Sequence, residues 1–169
     1  MSRFLPLGAL AAALALTGCG LHPLYGGGSG GGVAQTLAHI DVAPVPGQSG
    51  FLVSNAVKDR LAADPGSPAQ YRLEIRLDDK ISGLGVRRDD SVSRERRTLR
   101  ARYQLIDLAN GQVLVDATAG SDAGIDVVGS EYATIAAENT ALERLSVIVA
   151  DQIVSRIALY AERTKPTPP

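Results

Sequence analysis

The chain has one cysteine, two histidines and no tryptophan among its 169 residues, and these shortages exclude several kinds of chemistry. A lone thiol, Cys19, leaves no disulfide within the chain. The histidines, His22 and His39, both fall near the N-terminus, so a histidine-based triad is hard to assemble. No spaced group of His and Cys suggests a metal site, and no cofactor motif stands in for one. Net charge is scarce as well: the formal value of −1 argues against a general binder of nucleic acid or anionic membranes. The most basic stretch has only Tyr103 to stack on a base, which weakens a nucleic-acid reading further. Gly83-x-Gly85 and the polyglycine run lack the strand-then-helix setting of a phosphate loop and are expected to mark a strand bend and a linker. Asp122, Asp126 and Glu131 fall where a loop enters the last helix, so solvation or capping accounts for them better than acid–base pairing does. An enzyme is not expected.

The N-terminus carries one charge, Arg3, and then an apolar run from Phe4 to Leu16 broken only by Pro6 and Gly8. That is the layout of a secretory signal, too short to span a bilayer as a permanent helix. The segment ends in Leu16-Thr17-Gly18-Cys19, which resembles the lipobox of bacterial lipoproteins. The resemblance implies cleavage after residue 18 and acylation of Cys19, giving a membrane anchor. The alternative is a chance cysteine behind an uncleaved apolar helix. Gly20 stands where an Asp would resemble an inner-membrane retention signal, which points the anchor toward the outer membrane. Residues 19–36 then read as a lipidated cysteine and tether, because the run Gly26-Gly27-Gly28-Ser29-Gly30-Gly31-Gly32 has almost no side chains to bury. The apolar group Leu21, Pro23, Leu24 and Tyr25 ahead of it fits contact with headgroups or a partner, or no role at all.

Residues 37–163 are long enough for one domain with its own core. A first strand is expected within Ala38–Val45, closed by Pro44 and Pro46, and a helix over Phe51–Ala63 stopped by Asp64-Pro65-Gly66. From Tyr71 the period becomes two: Tyr71, Leu73, Ile75 and Leu77 alternate with Arg72, Glu74, Arg76 and Asp78. Leu99, Ala101, Tyr103 and Leu105 repeat the pattern against Thr98, Arg100, Arg102 and Gln104. Asn110-Gly111 signals a tight hairpin, and Val113, Val115, Ala117 and Ala119 answer as a third strand of the meander. From Ser130, a candidate N-cap, Tyr132, Ile135, Leu142, Leu145, Val149, Ile153, Ile157 and Tyr160 recur at helical steps over about eight turns. Residues 164–169, with three prolines, are expected to be a disordered tail. The order β-α-β-β-β-α gives an α+β two-layer sandwich, a mostly antiparallel sheet covered by two helices.

The lipobox followed at once by Gly20-Leu21-His22-Pro23-Leu24-Tyr25-Gly26, this element order, and a last helix opening Ser130-Glu131-Tyr132-Ala133 with Ala136, Ala137 and Glu138 together resemble the LPS-assembly lipoprotein family LptE in its alphaproteobacterial form. The resemblance covers nearly all of the chain after Cys19. It implies a non-enzymatic outer-membrane lipoprotein that plugs an LptD-like β-barrel, assists its assembly and helps deliver lipopolysaccharide to the outer leaflet.

The residues add a physical reading of their own. Arg87, Arg88, Arg94, Arg96, Arg97, Arg100 and Arg102 cluster around the start of the third strand, with Asp89, Asp90 and Glu95 interleaved. Arginine forks match phosphate oxygens, so this cluster is the candidate contact for a phosphorylated glycolipid. Reversing Arg96, Arg97 and Arg100 is expected to weaken that contact and leave the fold intact. The plainer alternative is a solvated strand face, or one that meets acids on a barrel wall. A second functional class stands beside the plug: a stand-alone lipoprotein that carries or buffers a lipid. A carrier needs a hollow interior, whereas a plug needs a packed one.

Overall fold

The computed structural model describes residues 32–61, 66–86 and 92–164. The expected signal segment 1–18, Cys19 and the tether up to residue 31, Arg87, Arg88, and the tail beyond Thr164 lie outside the described residues. The elements run α1 (Gly32–Ala38), β1 (Ile40–Val42), α2 (Gly47–Leu61), β2 (Tyr71–Val86), β3 (Val92–Asp107), β4 (Val113–Asp126) and α3 (Glu131–Arg163). The strands form one sheet in the order β1-β2-β3-β4, with β1 parallel to β2 and the rest antiparallel. The expected α+β order is present, with one short helix in front of it.

That helix corrects the expected tether boundary. Val33 and Leu37 sit one turn apart, and both are buried in the core, so the chain is already folded over residues that composition assigns to a linker. β1 is shorter than the expected Ala38–Val45 because α1 takes its first residue, and only Ile40–Val42 pair with Tyr71–Leu73. α2 starts ahead of the expected Phe51 and buries Val53, Val57 and Leu61 at steps of four.

The alternation in the strands is borne out except at Val113, which is 46% exposed: an irregularity between Leu105 and Ile106 shifts the register, so Val113 pairs with Ile106 and does not share the side of Val115, Ala117 and Ala119. Leu73 on β2 lies opposite Leu105 on β3, Ile75 opposite Tyr103 and Leu77 opposite Ala101, all on the face toward the helices. Leu142, Leu145, Val149, Ile153 and Ile157 of α3 meet that face, each at most 1% exposed. Burying one such side chain contributes about 1.5–3 kcal/mol, so this seam between sheet and helix is a main source of stability.

Two local expectations change. Asn110-Gly111 is not a two-residue turn: Asp107 N–H donates to Gln112 O at 2.9 Å, and Gly111 N–H donates to Asp107 O at 2.8 Å. The carboxyl of Asp107 and the amide oxygen of Asn110 each accept the backbone N–H two residues on, both at 2.8 Å, and these bonds favour the wider loop. Gly111 alone of the loop's residues needs to be glycine, since its φ is +72°. In α3, Tyr132 is 88% exposed and Ile135 49% exposed, although their spacing matched the buried residues. Gln48, at the start of α2, reaches Asn139 of α3, so α3 runs about two turns past the helix beside it, and no described helix covers that extension. Ser130 occupies the N-cap position in extended geometry, but its side chain makes no cap bond; its carbonyl takes the Thr134 N–H at 3.1 Å.

Candidate functional site: the charged face of the sheet

The alternation that buries one face of β3 turns Arg94, Arg96, Arg100 and Arg102 to the other, which carries no helix among the described residues. β4 lies alongside with acids at matching places. Arg94 faces Asp126 directly and bonds it at 3.0 Å. Arg100 lies opposite Gly120 and leans along the strand to Asp122 at 3.3 Å. Arg102 reaches Asp116 at 3.1 Å, where Gln104 also donates at 2.9 Å. β2 contributes Arg72, Glu74, Arg76, Asp78 and Lys80 to the same face, with Lys80 on Asp78 at 3.0 Å.

The electrostatics follow these contacts. Arg102 and Gln104 hold the Asp116 carboxyl below its ordinary value, and Asp116 in turn raises that of the Arg102 guanidinium. The Asp122 carboxyl is lowered chiefly by the Thr98 hydroxyl, which donates to it at 2.7 Å, with Arg100 adding to this against partial desolvation. Asp122 and Asp126 are thus partners of β3 arginines rather than helix caps.

The seven arginines named from sequence do not form one cluster. Arg87 and Arg88 lie outside the described residues. Arg97 has odd parity and points the opposite way, under the helices. Its guanidinium grips Asp79 at 2.9 and 2.7 Å and donates to the carbonyl of Glu138 in α3 at 2.9 Å. At 11% and 18% side-chain exposure, Arg97 and Asp79 form a structural clamp between sheet and helix. The Asp79 hydrogen bonds raise the Arg97 value, outweighing desolvation, so it stays charged.

Two cations on the open face have no ion-pair partner among the described residues. Arg96 lies opposite Gly124, which offers no side chain to meet it. Arg76 lies directly opposite Arg102, and with Glu74 and Gln104 the two line a concavity of about 240 Å³. Like charges facing across a ladder oppose each other. The sequence placed Arg76 on the solvent side but could not supply the register that sets it against Arg102. No group of His, Cys, Asp or Glu among the described residues is arranged to hold a metal ion, and no described helix is long and apolar enough to cross a membrane. His39 Nδ1 sits 3.3 Å from the carbonyl of Pro68, a bond between the start of β1 and the loop before β2.

No curated protein matches the sequence. Among solved structures the chain is similar to a Caulobacter crescentus protein described as a lipoprotein, with 28% identity, a TM-score of 0.68, and coverage of 81% of this chain and 100% of the other. The rare lipoprotein B of Shewanella oneidensis shares the fold at 12% identity and TM-score 0.53, covering 73% of this chain and 95% of its own. Lipoprotein B of Nitrosomonas europaea does so at 14% and 0.55, covering 73% and 82%. Residues 37–157, nearly the whole folded body, match the family model LptE, lipopolysaccharide-assembly, and the chain therefore belongs to the LptE family.

Proposed function

We propose that this protein is a lipid-anchored subunit of the outer membrane that plugs an LptD-like β-barrel, assists its assembly and helps pass lipopolysaccharide to the outer leaflet. It acts by binding rather than by catalysis. The observation that carries this reading, given the family, is the filled interior. Tyr103, Leu73, Leu99, Leu105, Leu142 and Ile153 close the space between sheet and helices, each at most 2% exposed. A lipid carrier needs a hollow there, and a packed interior suits a body whose outer surfaces do the work. Similarity to a Caulobacter protein described as a lipoprotein supports acylation of Cys19 and an envelope address.

The open face of the sheet is the contact for the phosphates of the glycolipid. Arg96 and Arg76 make no ion pair among the described residues, although the charge of Arg96 is felt at Asp122, while the ion pairs of Arg94, Arg100 and Arg102 are surface pairs. Solvent-exposed pairs of that kind add little to stability, so a phosphate displaces the aspartates at little cost.

The deciding experiment is a mild-detergent pull-down of the full-length protein, tagged after Pro169, from outer membranes, with mass spectrometry of what accompanies it. A large barrel recovered in equal amount is the expected result. Recovery of the lipoprotein alone, with or without extracted lipid, would overturn the plug reading in favour of the carrier.

A further inference from the structure

β4 is an edge strand, and at its middle a side chain from α3 occupies the position of a neighbouring strand. The N–H of Gly120 donates to Gln152 Oε1 at 2.9 Å, and Gln152 Nε2 donates back to the carbonyl of Gly120 at 3.3 Å. Both backbone groups point away from β3, so the carboxamide supplies the pair of bonds that an added strand would supply. Gly120 suits this use, because the stem of Arg100 lies across the place where its side chain would be: a Cβ there would run into Arg100 Cδ.

The rest of the strand is self-complementary about that point. In an antiparallel pairing of two β4 edges centred on Gly120, Thr118 of one copy falls opposite Asp122 of the other. The Thr98 hydroxyl already bonds Asp122 within the chain, so that pairing is chemically familiar to the site. On the helix side, Ala117 meets Ala123 and Val115 meets Ile125. No acid faces an acid in this register, since Asp116 falls opposite Gly124. An exposed edge of this kind is a template for pairing unless something covers it.

We propose that the outer edge of β4 is a docking surface for the β4 edge of a second copy of this chain, and that the carboxamide of Gln152, seated on Gly120, keeps it closed in the single chain. This stands on the geometry of β4 and α3 and is independent of the role in lipopolysaccharide assembly.

The test uses the full chain in detergent, the wild type beside Gln152→Leu and Gln152→Ala, followed by sedimentation velocity over a wide concentration range and by amide exchange at Gly120. The wild type is expected to stay single with Gly120 protected. In the variants, exchange at Gly120 should speed up roughly tenfold while they are single, and self-association should follow as concentration rises. Gln152→Glu keeps the acceptor for the Gly120 N–H and should remain single, which preserves the comparison if a larger change disturbs folding. Thr118→Cys with Asp122→Cys, added to Gln152→Leu, should cross-link two copies on oxidation. The proposal is overturned if the variants stay single although Gly120 has become exposed to exchange, or if Gly120 exchange does not change. It is equally overturned if the wild type already pairs, or if a dimer forms that positions 118 and 122 do not cross-link.

Discussion

Arg96 and Arg97 are adjacent in sequence and lie on opposite sides of the sheet, so the same substitution should have different consequences. Arg97→Met removes a bidentate partner of Asp79 and a bond to the Glu138 carbonyl, leaving a largely buried carboxylate unpaired. The expected loss is about 2 kcal/mol in urea unfolding, most of it recovered when Asp79→Leu is added. Arg96→Met should stay within about 0.5 kcal/mol of the wild type. Reversal of Arg97 therefore belongs to stability and not to ligand contact, which revises the expectation that reversing Arg96, Arg97 and Arg100 together would spare the fold. Glycines in β4 divide in the same way. Gly120→Ala drives a Cβ into Arg100 and the Leu99 carbonyl and should destabilise, whereas Gly124 has open space around its Cβ position, so Gly124→Ala should be neutral or stabilise by some tenths of a kcal/mol. Acid should act through Asp116 and Asp122. The folded chain holds both carboxyls below their ordinary value and so binds fewer protons than the unfolded chain in that range. The stability they contribute is complete at neutral pH and fades as pH falls below about 4. Asp116→Asn and Asp122→Asn should each flatten the acid limb of a stability-against-pH curve measured by urea unfolding.

Among the elements, α3 shows what sequence period can and cannot reveal. The spacing of Leu142, Leu145, Val149, Ile153 and Ile157 identified the buried stripe because a long helix on a sheet must keep one side apolar. Tyr132 and Ile135 satisfy the same spacing yet stand in solvent, since period reports phase around the axis and says nothing about how far the neighbouring helix extends. Ile153→Ala should therefore cost about 3 kcal/mol and Ile135→Ala under about 0.5 kcal/mol in the same unfolding assay. Amide exchange should divide the helix at Ala141, its first buried residue, with fast exchange before it and slow exchange after. The strands were legible because alternation over Tyr71–Asp78 and Thr98–Leu105 is a local property. Their pairing was not, because register depends on the hairpin loop, and there the side chains of Asp107 and Asn110 decided against the two-residue turn that Asn110-Gly111 suggested. α1 was hidden for a different reason: two apolar residues behind a glycine run are too weak a signal until Leu37 and Val33 are seen against the core.

For the whole molecule, the division of labour between faces follows from register. One face of the sheet is spent on the core, and the other is a ladder of arginines and aspartates in which β3 supplies cations and β4 acids. Sequence revealed that arginines concentrate around β3, but it counted Arg97 among them and left out Arg76, because membership depends on parity and on the strand opposite. The ligand prediction changes accordingly. Arg76 and Arg96, which lack ion-pair partners among the described residues, are the positions whose reversal should weaken binding of a lipid A-bearing glycolipid most, and neither is expected to shift the urea midpoint, since neither holds an element in place. Arg94→Glu should weaken binding less, because Asp126 already neutralises that cation. Binding carried by an exposed face must also be screened, so wild-type affinity should fall between about 0.05 and 0.5 M salt, and the Arg76→Glu, Arg96→Glu double variant should lose much of that salt dependence along with its affinity. An affinity that the double variant retains, or one indifferent to salt in the wild type, would move the glycolipid contact off this face of the sheet.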